Sequence, residues 1–314
     1  MRAPWAAITW AAISGRHLIS TTRVGRAGVV NWAAIGSVVC WATMAPFAKY
    51  AFDQFPATAY LGLRPLIAAA AAFLLLQVRG MRLGIGRTAW RRLMVAGGLG
   101  YGLAQIGFVT GLDRTSVSHL SILVSTSPLI GALIVPIVAR RLPRGDALAG
   151  MLLGLAGVAL LVGGGGSDGS SLRGDLLVLM SALAWVGATI WPIPLVARYG
   201  VEVTNAWMLV ASLALILPFS GGAVVDVIAS PPPLIAWGAL FYGAIVGVLI
   251  GNGLWQRAVL EVGADSALVY QYLTPVISLA LAIALLGERP TLLQLVGSAL
   301  ALLGVWIVRR RAAG

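Results

Sequence analysis

Apolar residues run along this chain in blocks of membrane-spanning length, separated by short clusters rich in Arg, Gly and Pro. Uncharged windows cover 27–48, 93–112, 115–139, 147–167, 176–197, 203–225, 233–256, 266–287 and 290–308, and a tenth, 54–78, carries one charge, Arg64. Each is close to the roughly 20 residues that cross a hydrocarbon layer about 30 Å thick. In lipid each must be a helix, because only hydrogen bonds within the segment satisfy its backbone there. The expected fold class is an all-α membrane protein with ten transmembrane helices.

Composition agrees with that pattern. Of 314 residues 59% are apolar and 10% charged, whereas a soluble domain carries about a quarter charged. A net charge of +12 would suggest nucleic acid in a soluble chain. Here 21 of the 22 basic residues are Arg, placed mostly between the apolar blocks, and that places them at a membrane face. Counting alternate loops gives 17 Lys and Arg on one side against four on the other, Lys49, Arg114, Arg173 and Arg289. The positive-inside bias then puts both termini in the cytoplasm of a multi-pass protein of the cell membrane.

Residues 1–26 hold Arg2, Arg16, Arg23 and Arg26, no acid, and an apolar run over 3–14 that is too short to span. They are expected to be a basic cytoplasmic extension or the product of a start codon placed too early, with an organellar transit peptide or a cleaved signal as the alternatives.

The chain is also written twice. Shifted by 147 positions, Pro128, Ile130, Pro143, Leu148, Gly150, Leu153, Leu155, Gly157 and Val158 fall without a gap on Pro275, Ile277, Pro290, Leu295, Gly297, Leu300, Leu302, Gly304 and Val305. Nine identities in 31 positions exceed the roughly three expected by chance in so Leu/Ala/Gly-rich a chain. The starts of the units match more loosely, Ser37 to Trp41 with Ser181 to Trp185. A Gly/Ser/Asp run at 163–171 separates five windows from five, so the expected organisation is a first repeat at 27–162, a linker at 163–174 and a second repeat at 175–311. An odd number of spans per unit makes the second copy enter from the opposite side, so the repeats are expected to be inverted, as in many secondary transporters.

Two units each ending in Pro-x14-Pro-x6-Gly-x6-Gly, with Leu286-Gly-Glu-Arg-Pro290 before the last window, resemble the EamA-type branch of the drug/metabolite transporter superfamily over roughly 30–310. Arg64 within the second window and Ala48-Lys49 at the end of the first also resemble the family pattern. The first copy departs from it, with Arg140-Arg141 where Gly-Glu would stand. The resemblance implies export of small organic solutes, often amino acids or other metabolites.

Several chemistries are excluded. Cys40 alone cannot form an internal disulfide, and His17 and His119 without a second Cys do not make a structural zinc site. Lys49, the only lysine, follows no glycine-rich loop, so no Walker A motif exists. Gly165-Gly-Ser-Asp-Gly169 sits in the linker and lacks the strand before and helix after that a hydrolase elbow needs. No catalytic residue, metal or cofactor is expected; the expected partners are a small-molecule substrate and the lipid bilayer, not nucleic acid.

The candidate binding residues are the polar and aromatic groups inside the windows. A cation as deep as Arg64 costs about 2.5–3.5 kcal/mol on insertion scales, so it either anchors a carboxylate or phosphate of the substrate or snorkels and pairs with helix carbonyls. Gln105 and Asn252 are repeat mates 147 apart that line a cavity or join helices. Ser125 shares a helical face with Ser118 and Ser121. Trp41 and Trp185 are mates in mid-membrane, and Tyr270 and Tyr272 lie in the ninth window; they fit a flat solute or fill space. Pro128 and Pro275 should kink the fourth and ninth helices and mark the site between them. His119 and Glu288 are candidates for proton coupling. Rival readings are a phosphate-bearing substrate carrier, such as a lipid flippase or nucleotide-sugar exchanger, and a non-transporting membrane scaffold. Direction of transport, coupling ion and oligomeric state, a homodimer included, stay open at this level.

Overall fold

The computed structural model describes residues 30–115, 120, 123–138, 145–163, 171–286 and 291–311. Among them every regular element is helical: α1 (Trp32–Phe52), α2 (Ala57–Val78), α3 (Arg87–Arg114), α4 (Ser127–Val138), α5 (Gly145–Gly163), α6 (Leu172–Tyr199), α7 (Val201–Ala229), α8 (Leu234–Val262), α9 (Ala264–Val269 continued by Tyr270–Tyr272 and Leu273–Leu286) and α10 (Leu292–Arg311). Five of these, α2, α3, α6, α7 and α8, are long and apolar enough to cross a membrane; α1, α5 and α10 hold shorter apolar stretches. The basic extension at 1–26, most of the linker, His119 and Glu288 lie outside the described residues, as does the side chain of Lys49.

Helix starts and stops follow local chemistry. The Asn31 side chain accepts a hydrogen bond from the Ala34 N–H at 2.7 Å and caps α1. Ser171 does the same for α6 through the Gly174 N–H at 3.1 Å, each taking one of the orphan donors of a first turn. Gly200 and Gly263, with φ of 85° and 84°, end α6 and α8 in a backbone region that a side chain would disfavour. The outer surface carries large apolar side chains such as Leu74, Phe219, Val225, Leu234 and Ile235, all more than half exposed. In water such a surface would be a liability; in hydrocarbon it is the required solvent.

The two copies share an irregularity. Within α3 residues Met94–Gly102, and within α8 residues Gly243–Ile250, wind as π-helix. The carbonyls beside these stretches find side-chain donors: Trp41 Nε1 on Gly247 O at 3.1 Å, Asn205 Nδ2 on Leu249 O at 3.2 Å and Ser181 Oγ on Ala104 O at 2.7 Å. π-turns of this kind collect at functional sites.

Corresponding helices of the two copies pack on one another, running in opposite directions. On α2 and α7, Gly62 meets Ser220 while Phe73 meets Trp207 with ring centroids 5.0 Å apart. On α5 and α10, Gly157 faces Gly297 and Ala301, and Gly304 faces Gly150 and Gly154. The remaining contacts are exchanged: α1 lies on α8 as α6 lies on α3. Thus Gly100 backs onto Ala188, and its mate Gly247 backs onto Met44.

The sequence expectation of kinks at Pro128 and Pro275 differs in detail from the structure. The chain breaks just before each proline, at the turn of Ser125 and Thr126 and at the 3-10 turn Tyr270–Tyr272. Pro128 then stands in the first turn of α4, where its missing N–H costs nothing.

The glycine seam generates a stability test. A Cβ on Gly304 would lie 2.6 Å from both Gly150 O and Gly154 N, so Gly304→Leu should destabilise by about 1–3 kcal/mol and lower the midpoint of thermal unfolding in detergent. Gly238→Ala, with nothing within 4 Å, should leave the midpoint unchanged or slightly higher; equal behaviour of the two variants would remove the seam's structural role.

Candidate functional site

A cavity of about 170 Å³ lies among α1, α2, α3, α6 and α8, and the broken ends of α4 and α9 complete its wall. Its wall is built from both copies. Trp41 and Met44 come from α1, Gln105 and Phe108 from α3, Trp185 from α6, Asn252 from α8 and Gln271 from the 3-10 turn of α9.

Arg64 is 0% exposed, and its guanidinium forms part of the wall. α8 passes close above its stem at Gly243, where a Cβ would come within 3.6 Å of Arg64 Cδ. The guanidinium lies over the Tyr60 ring at 5.2 Å from the centroid, a cation–π contact. Nη2 donates to Gln105 Oε1, and Nη1 to Met44 Sδ at 3.6 Å. Nε has no partner. Among the described residues no carboxylate lies within salt-bridge distance of Arg64, and no acid lines the cavity. The wall therefore presents an uncompensated cation.

Tryptophans form the opposite face. Trp41 meets Trp185 edge to face at 5.2 Å, and Trp255 backs both at 5.2 and 5.8 Å. Trp41 and Trp255 have their indole N–H groups satisfied, by Gly247 O and by Thr189 Oγ1 at 3.1 Å. Trp185, which lines the cavity, does not: its Nε1 is buried without a partner. Gln271 Oε1 is a third buried group in the wall with no partner. Buried polar atoms are rarely left so.

Of the residues singled out from the sequence, the cavity gathers Arg64, Trp41, Gln105, Ser125, Trp185, Asn252 and Pro275. Three stand elsewhere, one of them Tyr270, whose hydroxyl accepts from the Asn31 N–H at 3.2 Å. Pro128 is buried outside the wall. Tyr272 points the other way, its hydroxyl donating to Met151 O at 2.8 Å and its ring filling the space above Gly154. Gln271 takes the place expected of Tyr272, because the 3-10 turn advances about 120° per residue where an α-helix advances about 100°. Gln271 has Val124 as its repeat mate, so no duplication flagged it. Trp255, which backs the other two indoles, was also missed; its mate is Phe108, and paired large aromatics were the available signal.

The support of Arg64 by Gln105 generates a prediction. Gln105→Leu removes the acceptor from a buried cation and should lower the unfolding midpoint in detergent, by about 1.5–3 kcal/mol of stability. Gln105→Glu, which supplies a carboxylate at the same place, should hold or raise it. A midpoint unchanged in Gln105→Leu would show that the amide gives the guanidinium no support.

With the geometry in place, similarity to known proteins can be stated. The sequence matches the EamA-like transporter family over residues 29–163 and again over 172–310. A probable terminal-alkyne amino-acid exporter of Streptantibioticus cattleyicolor is 28% identical over 288 residues, covering 90% of this chain and 94% of that protein. An uncharacterized transporter of Archaeoglobus fulgidus is 27% identical over 225 residues, covering 69% and 75%. An uncharacterized inner membrane transporter of Salmonella typhimurium is 26% identical over 214 residues, covering 66% and 70%. One solved crystal structure superposes with a TM-score of 0.69 at 21% identity, over 90% of this chain and 98% of that one, a likeness of fold. The matches over two repeats and the apolar helices make this a multi-pass membrane protein and a transporter, not an enzyme: the chain belongs to the EamA-like transporter family.

Proposed function

We propose that the protein is a ten-span secondary carrier that moves a small organic solute, an amino acid or related metabolite, outward across the cytoplasmic membrane by alternating access. Both termini lie in the cytoplasm, as the 17-to-four distribution of basic residues favours. The observation that carries the proposal is the cavity whose wall comes from both copies and holds the buried Arg64 with an unpaired Nε. A scaffold has no use for such a group.

The antiparallel packing of α2 on α7 and α5 on α10 supports an inverted repeat, and so does the exchange of α1 and α6 between the copies. Inversion gives two conformations of similar energy, one open to each side. The paired breaks before Pro128 and Pro275 supply flexible points on either side of the cavity. A relative named as a probable amino-acid exporter favours outward transport.

The volume of about 170 Å³ falls below the roughly 300–1,000 Å³ of sites for drug-sized ligands. That favours an amino-acid-sized solute over a nucleotide sugar or a lipid headgroup with its chains.

In proteoliposomes loaded with a mixture of amino acids and carboxylate metabolites, the protein should catalyse counterflow of at least one labelled solute. Arg64→Gln should reduce that rate by more than tenfold, about 1.4 kcal/mol or more, with folded yield retained. Counterflow absent across the panel would overturn the proposal, and loss of folded protein in Arg64→Gln would assign the arginine to architecture.

A further inference from the structure

Three residues that line the cavity each carry a buried polar atom without a partner, Arg64 Nε, Trp185 Nε1 and Gln271 Oε1. Two are donors, one of them on a cation. The residue that bears it is 0% exposed, and its other described partners, the Gln105 carbonyl oxygen and the Met44 sulfur, are neutral. A buried cation without a counter-ion is costly, and a ligand that brings the missing charge recovers part of that cost. One that brings a second cation adds to it, because among the described residues no Asp or Glu lines the cavity to receive it. Gln271 Oε1 offers one neutral acceptor, enough for a hydroxyl or N–H but weak compensation for a whole ammonium charge.

The body of the ligand is specified as well. Trp41, Trp185 and Phe108 make a largely aromatic face, which suits a flat or branched apolar group.

Resting on the reading of this cavity as the substrate site, we infer that its preferred solutes are organic monocarboxylates with an apolar or aromatic body and no compensating positive charge. The carboxylate pairs with the Arg64 guanidinium, the cation of the wall, and the complex is electrically neutral. Zwitterionic amino acids bind in the same pose with an ammonium left uncompensated, so they bind more weakly. Organic cations are excluded.

The test uses three solutes of similar skeleton, 3-phenylpropanoate as the anion, phenylalanine as the zwitterion and 3-phenylpropylamine as the cation. Each is titrated into the full chain in nanodiscs at neutral pH while its tryptophan fluorescence is followed. The anion should bind at least about tenfold more tightly than the zwitterion, which must also strip water from an ammonium that the cavity leaves uncompensated, and the cation should give no saturable change. Trp185→Phe should weaken the anion by a smaller factor than Arg64→Gln, which should erase its advantage. Should Arg64→Gln not fold, Gln105→Glu carries the same test, because its carboxylate occupies the guanidinium and should abolish the preference.

A zwitterion equal to or tighter than the anion, or an anion preference that survives Arg64→Gln or Gln105→Glu, would overturn the inference. So would displacement of 3-phenylpropanoate by inorganic phosphate at equal concentration, which would make the site one for small anions in general. Absent counterflow with this ranking intact would remove the carrier reading and leave the charge selection standing. Counterflow indifferent to solute charge would do the reverse.

Discussion

The antiparallel packing of one copy's helices on those of the other is the constraint on which the rest of this structure depends. α2 against α7 and α5 against α10 can lie close only because glycines stand at the crossings, Gly62 in the first pair and Gly150, Gly154, Gly157, Gly297 and Gly304 in the second. Lipid tails are as apolar as leucine side chains, so association in the membrane draws on close packing and internal hydrogen bonds. Once these pairs are set, α1 and α6 fall into the opposite copy, and the cavity arises where the exchanged helices meet the π-wound parts of α3 and α8.

That arrangement explains how a charge survives in the interior. Arg64 comes from α2, its amide acceptor from α3, its sulfur acceptor from α1, and the glycine that makes room for its stem from α8. Its partners are neutral and leave a net positive charge in the wall. A structural arginine is ordinarily paired with an acid or with carbonyls until its donors are exhausted; here Nε remains without a partner. The site is therefore asymmetric although the fold is nearly symmetric. The residue of the second copy that aligns with Arg64 by the 147-residue shift is Ala211, so only one copy brings a charge.

Much of this was legible in the sequence because membranes reduce the problem to few variables. Uncharged blocks of spanning length gave the helices, and the 147-residue shift gave the duplication and the mates Gln105 and Asn252, both of which line the cavity. Arg64 announced itself by the cost of its position. What could not be read was local phase. Neither the π-windings nor the 3-10 turn has a periodicity signature in an all-apolar stretch, and that turn decides that Gln271 rather than Tyr272 faces the cavity. The prolines were expected to kink the helices, whereas each break lies upstream, at Ser125 and Thr126 and at Tyr270–Tyr272, and Ser127 and Thr274, directly before the prolines, are already helical. Trp255 was missed because a search for identical mates passes over Phe108, which matches it in size and aromatic character only.

Inversion is the claim that everything else requires, and equivalent loops of the two copies test it most directly. Gly84 follows α2 and Ser230 follows α7, and both are exposed. In a Cys40→Ser background, Gly84→Cys and Ser230→Cys should react with a membrane-impermeant thiol reagent from opposite faces of sealed vesicles, Gly84→Cys from the cytoplasmic face. Labelling of both from the same face would contradict the account.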